Sequence, residues 1–306
     1  MKVRIWGVRG SIPTPGATTL GYGGNTPCVQ VELSSSGMRQ GSYLIFDAGT
    51  GIRLLGNHIT AGVPEDAPMD INLLLSHLHW DHIQGLPFFK PLYRSGCHLH
   101  VHGPTGHGLD RVLRDQMYPN YFPITMDHVD VRATLEFRPL EKGSVIRVGE
   151  ASVRHMFVNH AGEGGAVGYR VDAEGTSFVY IPDVEPFDFP YSPTKSGVAP
   201  NHRPDQNLIE FIQGADLMLF DTTYTAEEYE RFRGWGHSPI DYALDVAARG
   251  AVRKLGLFHH DPMRTDVELD KIVDRTRGLA SPLGVEVFGS AEGMTVDLGS
   301  KEGTRG

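Results

Sequence analysis

Only two cysteines, Cys28 and Cys97, occur in the 306 residues. Two are too few for a disulfide scaffold, and their spacing is not that of a metal site. A reduced, cytoplasmic setting is therefore expected. Long apolar runs are missing as well: no stretch reaches the roughly 18 residues that a membrane span needs, so no membrane partner is expected. The opening MKVRIWGVRGSIP has charges but no apolar core behind them, so no signal peptide is expected. Positive charge is in deficit, with 28 Lys+Arg against 37 Asp+Glu and a net charge of −9. A net acidic chain is a poor general binder of nucleic acid, and a nucleic-acid partner is not expected. Apolar residues at 40% and charged residues at 21% exclude wholesale disorder. What is abundant is glycine (37), proline (20) and, above all, histidine (15), and the histidines cluster.

Short apolar segments punctuated by turn residues dominate the chain. Residues 2–9, 29–33, 43–47, 70–76 and 97–102 read as strands in the first half, with helices near 52–55 and 109–117. The second half repeats this grammar with strands at 135–139, 144–148, 151–158, 168–172, 177–181, 217–221, 254–258 and 285–288. Helices are expected there at 206–213, 239–249 and 266–279. Strands come in groups with helices between some of them. That favours two β-sheets packed face to face with helices outside, an αββα sandwich of mixed sheets, over a doubly wound parallel sheet. Nothing reads as an interdomain linker, so one domain over 1–306 is expected, with a proline-rich surface loop or lid near 186–204.

The chemistry concentrates in Ser76-His77-Leu78-His79-Trp80-Asp81-His82, directly after the apolar run DINLLLS. Alternation puts His77 and His79 on one side, and Asp81 and His82 can turn to another. One ion rarely takes all four donors from so short an arc, so two adjacent ions are the simpler reading. Nitrogen and oxygen donors without thiolate admit zinc, manganese or iron. The alternative, a solvated polar loop, explains neither the strand context nor the donor types.

His77-x-His79-x-Asp81-His82 resembles the metal-binding motif of the metallo-β-lactamase superfamily, whose fold is the αββα sandwich. Later family positions recur in order: His160 before Gly168-Tyr169-Arg170, Asp183 in Tyr180-Ile-Pro-Asp183, and His259 in Leu257-Phe258-His259-His260. The resemblance implies one metal site of His77, His79 and His160. It implies a second of Asp81, His82 and His259, with Asp183 bridging two divalent ions, zinc foremost. His260 competes with His259 for the last place. Asp47, in Asp47-Ala-Gly-Thr-Gly, is read as a carboxylate that organises the loop rather than a ligand.

The opening Gly7-Val-Arg-Gly-Ser-Ile-Pro, together with Gly23-Gly-Asn25-Thr26, resembles ribonuclease Z-like and cyclic-phosphodiesterase-like members. So do Leu219-Phe220-Asp221-Thr222-Thr223-Tyr224 and Gly234-Trp235-Gly236-His237-Ser238. The resemblance implies a dinuclear phosphodiesterase in which a bridging hydroxide attacks phosphorus. It implies that His237 protonates the leaving oxygen and that Asp221 holds its imidazole. Asp81, His237 and Asp221 are the candidate catalytic residues. With no lysine-rich arm and a net acidic chain, a small phosphodiester such as a cyclic nucleotide is the expected substrate. The alternatives are thioester or lactone hydrolysis on the same fold and a ribonuclease Z-like RNA endonuclease. Arg9, Arg170 and Asn25 are candidates for phosphate or loop contacts. Trp80 is expected to pack beside the metal loop, and Trp235 to line the pocket mouth. His98-Leu-His100-Val-His102 reads as a half-exposed strand without metal, and His58, His107, His128, His155 and His202 are isolated. Members of this branch are commonly dimers, so a homodimer is expected.

Overall fold

The computed structural model describes residues 1–34, 41–104, 108–160, 165–186 and 203–299. The expected loop at 186–204 lies almost wholly outside the described residues, as do His107 and His202. In chain order the strands are β1 (Lys2–Gly7), β2 (Cys28–Glu32), β3 (Ser42–Phe46), β4 (Met69–Leu74), β5 (Cys97–Gly103), β6 (Thr134–Pro139) and β7 (Val145–Val148). They continue with β8 (Ala151–Val158), β9 (Ala166–Ala173), β10 (Thr176–Ile181), β11 (Leu217–Asp221), β12 (Lys254–Phe258), β13 (Glu286–Gly289) and β14 (Thr295–Asp297). The helices are α1 (Gly51–Thr60), α2 (Trp80–Ile83), α3 (Leu109–Asp115), α4 (Arg203–Ile212), α5 (Ala226–Phe232), α6 (Ile240–Arg249) and α7 (Asp266–Ala280).

Among the described residues the strands form two seven-stranded sheets, ordered β14-β1-β2-β3-β4-β5-β6 and β13-β12-β11-β10-β9-β8-β7. Both sheets are mixed. In the first, the pairings from β14 to β3 are antiparallel and those from β3 to β6 parallel. In the second, β13 to β10 are parallel and β10 to β7 antiparallel. The duplicated layout in the sequence is thus a duplicated sheet plan.

Period-two alternation sorts the side chains into three apolar layers. Leu44 and Phe46 of β3 meet Phe178 and Tyr180 of β10 between the sheets, where Phe46 packs on Tyr169 at 5.5 Å between ring centroids. Ile45 points the other way, under α1, with Ile52, Leu55 and Ile59. On the far side, Val179 and Phe220 lie beneath α4 and α6 with Leu208, Ile212 and Ala243. Central strands covered on both faces bury nearly every residue, which is why 70–76 reads as a continuous apolar run. This is the expected αββα sandwich.

A capping box of Thr225 and Glu228 nucleates α5. β14 was not anticipated, because three residues of mixed polarity carry no period, and pairing with β1 supplies its order. The carboxyl ends of β4, β8, β10, β11 and β12 meet at one rim of the sandwich, and that rim carries His77, His79, His82, His160, His237 and His259.

Candidate metal centre

β4 delivers the chain to Ser76, and His79 then takes an extended conformation as the residue before α2. The single turn of α2 brings Asp81 and His82 inward while His77 and His79 remain on the strand side. Asp47, one residue past β3, holds this arc. It accepts from the Ser76 N–H at 2.7 Å, the Ser76 hydroxyl at 2.9 Å, His82 Nδ1 at 2.8 Å and the Tyr180 hydroxyl at 2.8 Å. Its φ of 57° is left-handed, a conformation costing a non-glycine residue about 1–3 kcal/mol unless its surroundings enforce it. Four donors on one buried carboxylate are such an enforcement. Asp47 stands outside the inner donor groups, as an organising carboxylate should.

Asp183, just past β10, divides the centre between its two oxygens. Oδ2 lies 3.7 Å from His77 Nε2 and 3.8 Å from His160 Nε2. Oδ1 lies 3.1 Å from His82 Nε2 and 3.3 Å from His259 Nε2. His79 Nδ1 adjoins His160 Nε2 at 3.1 Å, and Asp81 Oδ2 adjoins His259 Nε2 at 3.2 Å and His82 Nε2 at 3.3 Å. His77/His79/His160 and Asp81/His82/His259 are two donor groups with their ligand atoms within 4.8 Å of one another; His237 falls within the same reach of His160 and Asp183, and of Asp221 and His259. Asp183 lies between the two groups. These are the residues the sequence nominated.

The outer ring nitrogens of His77, His82, His160 and His259 have protein partners, which turn their inner nitrogens towards the centre. His82 Nδ1 donates to Asp47, and His160 Nδ1 donates to the Gly236 carbonyl at 2.7 Å. The Ser76 hydroxyl donates to Asp47 and accepts from His77 Nδ1 at 3.1 Å. The Thr223 hydroxyl donates to Asp221 at 2.8 Å and accepts from His259 Nδ1 at 3.1 Å. Facing inward, His77 Nε2, His82 Nε2 and Asp183 Oδ1 are buried with no hydrogen-bond partner. Buried acceptors aimed at one another are costly unless positive charge sits among them. Burial opposes ionisation of Asp183, yet the surrounding imidazoles of His259, His82 and His77 hold its carboxyl well below the usual range. Burial likewise opposes charge on His82, but Asp81, Asp183 and Asp47 raise it well above an ordinary imidazole, so a cation bound at its Nε2 would take the place of a proton. An imidazole-rich centre with two carboxylates, Asp81 and Asp183, fits divalent cations.

His259 and His260 point apart. His259, itself left-handed at φ 59°, turns into the centre, whereas His260 Nε2 donates to the Ser290 carbonyl at 2.9 Å. Gly10 lies against the His259 ring so closely that a Cβ there would collide with it. His237 Nδ1 sits 2.9 Å from Asp221 Oδ2, its ring stacked on His259 at 4.8 Å between centroids. Burial disfavours its charged form, but Asp221, aided by Asp183 and Asp81, pushes His237 up to about 9.

Other nominated residues are elsewhere engaged. Arg9 is fully buried and donates to the carbonyls of Gly23 at 2.8 Å and Arg264 at 2.7 Å, so it braces loops rather than meeting phosphate. Asn25 is held by Glu292 through both its backbone and side-chain nitrogens. Arg170 pairs with Asp172 at 3.0 Å and donates to the Gln213 carbonyl at 2.8 Å. Trp80 does not pack beside the loop: it is 74% exposed, because α2 turns its first residue outward to bring Asp81 and His82 in. Trp235, two residues before His237, is 63% exposed. Along β5, His98 is exposed, His100 half-buried between Asp70 and Glu136, and His102 buried. Thr223 and Tyr180 were not nominated, since a lone hydroxyl beside a strand carries no spacing signal. Both cysteines are free and buried.

Residues 43–260 match the model of the β-lactamase superfamily domain. The chain belongs to this superfamily. Among superfamily relatives it is similar to a ribonuclease Z of Haloarcula marismortui, 24% identical over 298 residues that cover 85% of this chain and 90% of the relative. Its fold is shared with a diphosphatase of the PhnP family, with a TM-score of 0.65 and 16% identity over 97% of each chain. The short form of human tRNase Z superposes with a TM-score of 0.61 and 17% identity, covering 98% of this chain and 100% of that one. No helix among the described residues is long and apolar enough to cross a membrane.

Proposed function

We propose that the protein is a metal-dependent phosphodiesterase with a dinuclear centre. The observation that carries this reading is the division of Asp183 between two histidine groups, with the His237–Asp221 pair at their edge. His77, His79 and His160 would hold one ion, Asp81, His82 and His259 the other, and Asp183 both. When bound, two divalent ions supply a nucleophilic water at neutral pH and neutralise charge on phosphoryl oxygens. The protein's own contribution is the proton for the leaving oxygen. Asp221 fixes the Nδ1–H tautomer of His237 and favours its charged form, which leaves Nε2–H as the donor. A thioester or lactone hydrolase has less need of such an acid.

The substrate reading retains a small phosphodiester, a cyclic nucleotide foremost, on the strength of the net charge of −9 and the absence of a lysine-rich arm. A second reading, RNA cleavage, is favoured by the relatives, which bear the name ribonuclease Z. A local site can bind RNA on an acidic chain, so their names return RNA to the candidates. The test is turnover by metal-loaded protein of bis(p-nitrophenyl) phosphate, a cyclic-nucleotide panel and structured RNAs including tRNA transcripts. Metal-dependent turnover of cyclic nucleotides without RNA cleavage supports the first reading, and RNA cleavage alone supports the second. Two bound metals with no phosphodiester turnover would overturn both.

A further inference from the structure

Glu185 belongs to no metal group and was nominated by no motif, yet it is fully buried and the contacts of its carboxylate all point one way. Its Oε1 accepts from the Tyr229 hydroxyl at 3.0 Å and the Gly234 N–H at 2.6 Å, and its Oε2 accepts from the Gly236 N–H at 3.1 Å. One carboxylate thus grips both glycines that flank Trp235, together with α5. The gripped loop has two outputs. The Gly236 carbonyl receives the Nδ1 proton of His160, and the next residue is His237.

The backbone around Glu185 ties the same parts together. Its own N–H bonds the Asn159 carbonyl at 2.7 Å, one residue before His160. The Val184 N–H bonds Asp221 Oδ2 at 3.1 Å, and the Val184 carbonyl accepts from the Ser238 hydroxyl at 2.6 Å, one residue after His237. Asp183 itself begins this three-residue node. A glycine-rich loop has no preferred conformation of its own, since each glycine loses more backbone freedom on ordering than any other residue. Burying a carboxylate is expensive unless its lone pairs are filled, and here backbone donors of that loop fill them.

We propose that Glu185 is a positioning residue: by gripping Gly234 and Gly236 it holds His237 against Asp221. Glu185 touches no reacting atom, and it acts through the loop. The kinetic part of this inference rests on the role given to His237 above. The structural part does not.

The test compares wild type, Glu185→Gln and Glu185→Ala at saturating metal, alone and combined with His237→Ala. Glutamine keeps the volume but sets an amide NH₂ against one of the glycine N–H groups, while alanine removes every acceptor. Two measurements are made. Amide hydrogen exchange at Gly234 and Gly236 should accelerate in both variants while protection in β4 and β10 is kept. Turnover of a cyclic nucleotide, whose alkoxide must be protonated to leave, should fall by about 10–100-fold, the usual effect of losing such a supporting contact. Turnover of bis(p-nitrophenyl) phosphate, whose leaving group departs as the phenolate, should change little, and Glu185→Ala should cost nothing further in the His237→Ala background. Unchanged glycine exchange, exchange that rises across the whole molecule, equal losses on both substrates, or losses that add to those of His237→Ala would each overturn the inference. If wild type turns over no phosphodiester, the proposed function fails. The exchange measurement then still decides the role of Glu185.

Discussion

Tyr180 and Asp47 join the two sheets: the phenol on β10 of the second sheet donates at 2.8 Å to the carboxylate just past β3 of the first. The same Oδ2 receives His82 Nδ1, so the sandwich and the metal centre share one oxygen. Replacing Tyr180 by Phe removes one hydrogen bond to a charged group and should cost about 1.5–3 kcal/mol in urea unfolding. Asp47→Asn should cost at least as much, because an amide nitrogen must then face one of four donors. If Asp47→Asn unfolds at the wild-type midpoint, Asp47 does not carry the role given to it.

Removing the shared ligand should differ from removing a ligand of one group. Asp183→Ala should abolish binding of both ions, whereas His160→Ala should leave the Asp81/His82/His259 ion in place. Metal content by elemental analysis after gel filtration reads this directly. Equal loss in the two variants would contradict a bridging Asp183.

His237→Ala should keep its metals and lose about 10²- to 10⁴-fold in turnover of substrates with alkoxide leaving groups, the range typical of general acid catalysis. Metal analysis beside kinetics separates this from ligand loss. A variant with full activity would move the chemistry to carbon esters.

Gly10→Ala should displace the His259 ring, against which the new methyl would press. Overpacking of this sort costs about 1–3 kcal/mol, and here the strain falls on a ligand. Thermal unfolding with and without added zinc should show that the variant has lost much of the zinc-dependent stabilisation.

His102 sets an acid limit on stability. Burial, with Arg138 second, lowers its pKa to about 4, and its Nε2 adjoins Asn72 Oδ1 at 3.3 Å. Because the folded value lies below the unfolded one of about 6.5, the unfolded chain binds the extra proton. Stability attributable to this site is therefore whole above about 6.5 and lost as pH falls towards about 4. Denaturant unfolding of wild type and His102→Gln at pH 7 and pH 5 checks this: the gap between the two pH values should narrow in the variant.

Residues 77–82 were legible because six consecutive positions carry four donors at a strand end. The strands of the sandwich were legible because both faces are covered, which leaves continuous apolar runs. His160, Asp183 and His259 were legible only through their order and their resemblance to a family, since each stands alone after a strand. Arg9 marks where local reading stops. An arginine in a glycine-rich loop looks ready for phosphate, yet its partners include backbone carbonyls of Asp261 and Arg264, from the far end of the chain. Glu185, Thr223 and Tyr180 escape for the same reason, because what matters in each is a single hydrogen-bonding atom whose partner is set by tertiary packing.

The donors of the centre come from both sheets: His77, His79, Asp81 and His82 follow β4 of the first, and His160, Asp183 and His259 follow β8, β10 and β12 of the second. An unfolded chain scatters these groups, so ions that bind the native arrangement alone add their binding energy to folding. The amount of native protein in a cell would then track the supply of its cation, and starvation for that cation would be felt as turnover of the polypeptide as well as loss of activity.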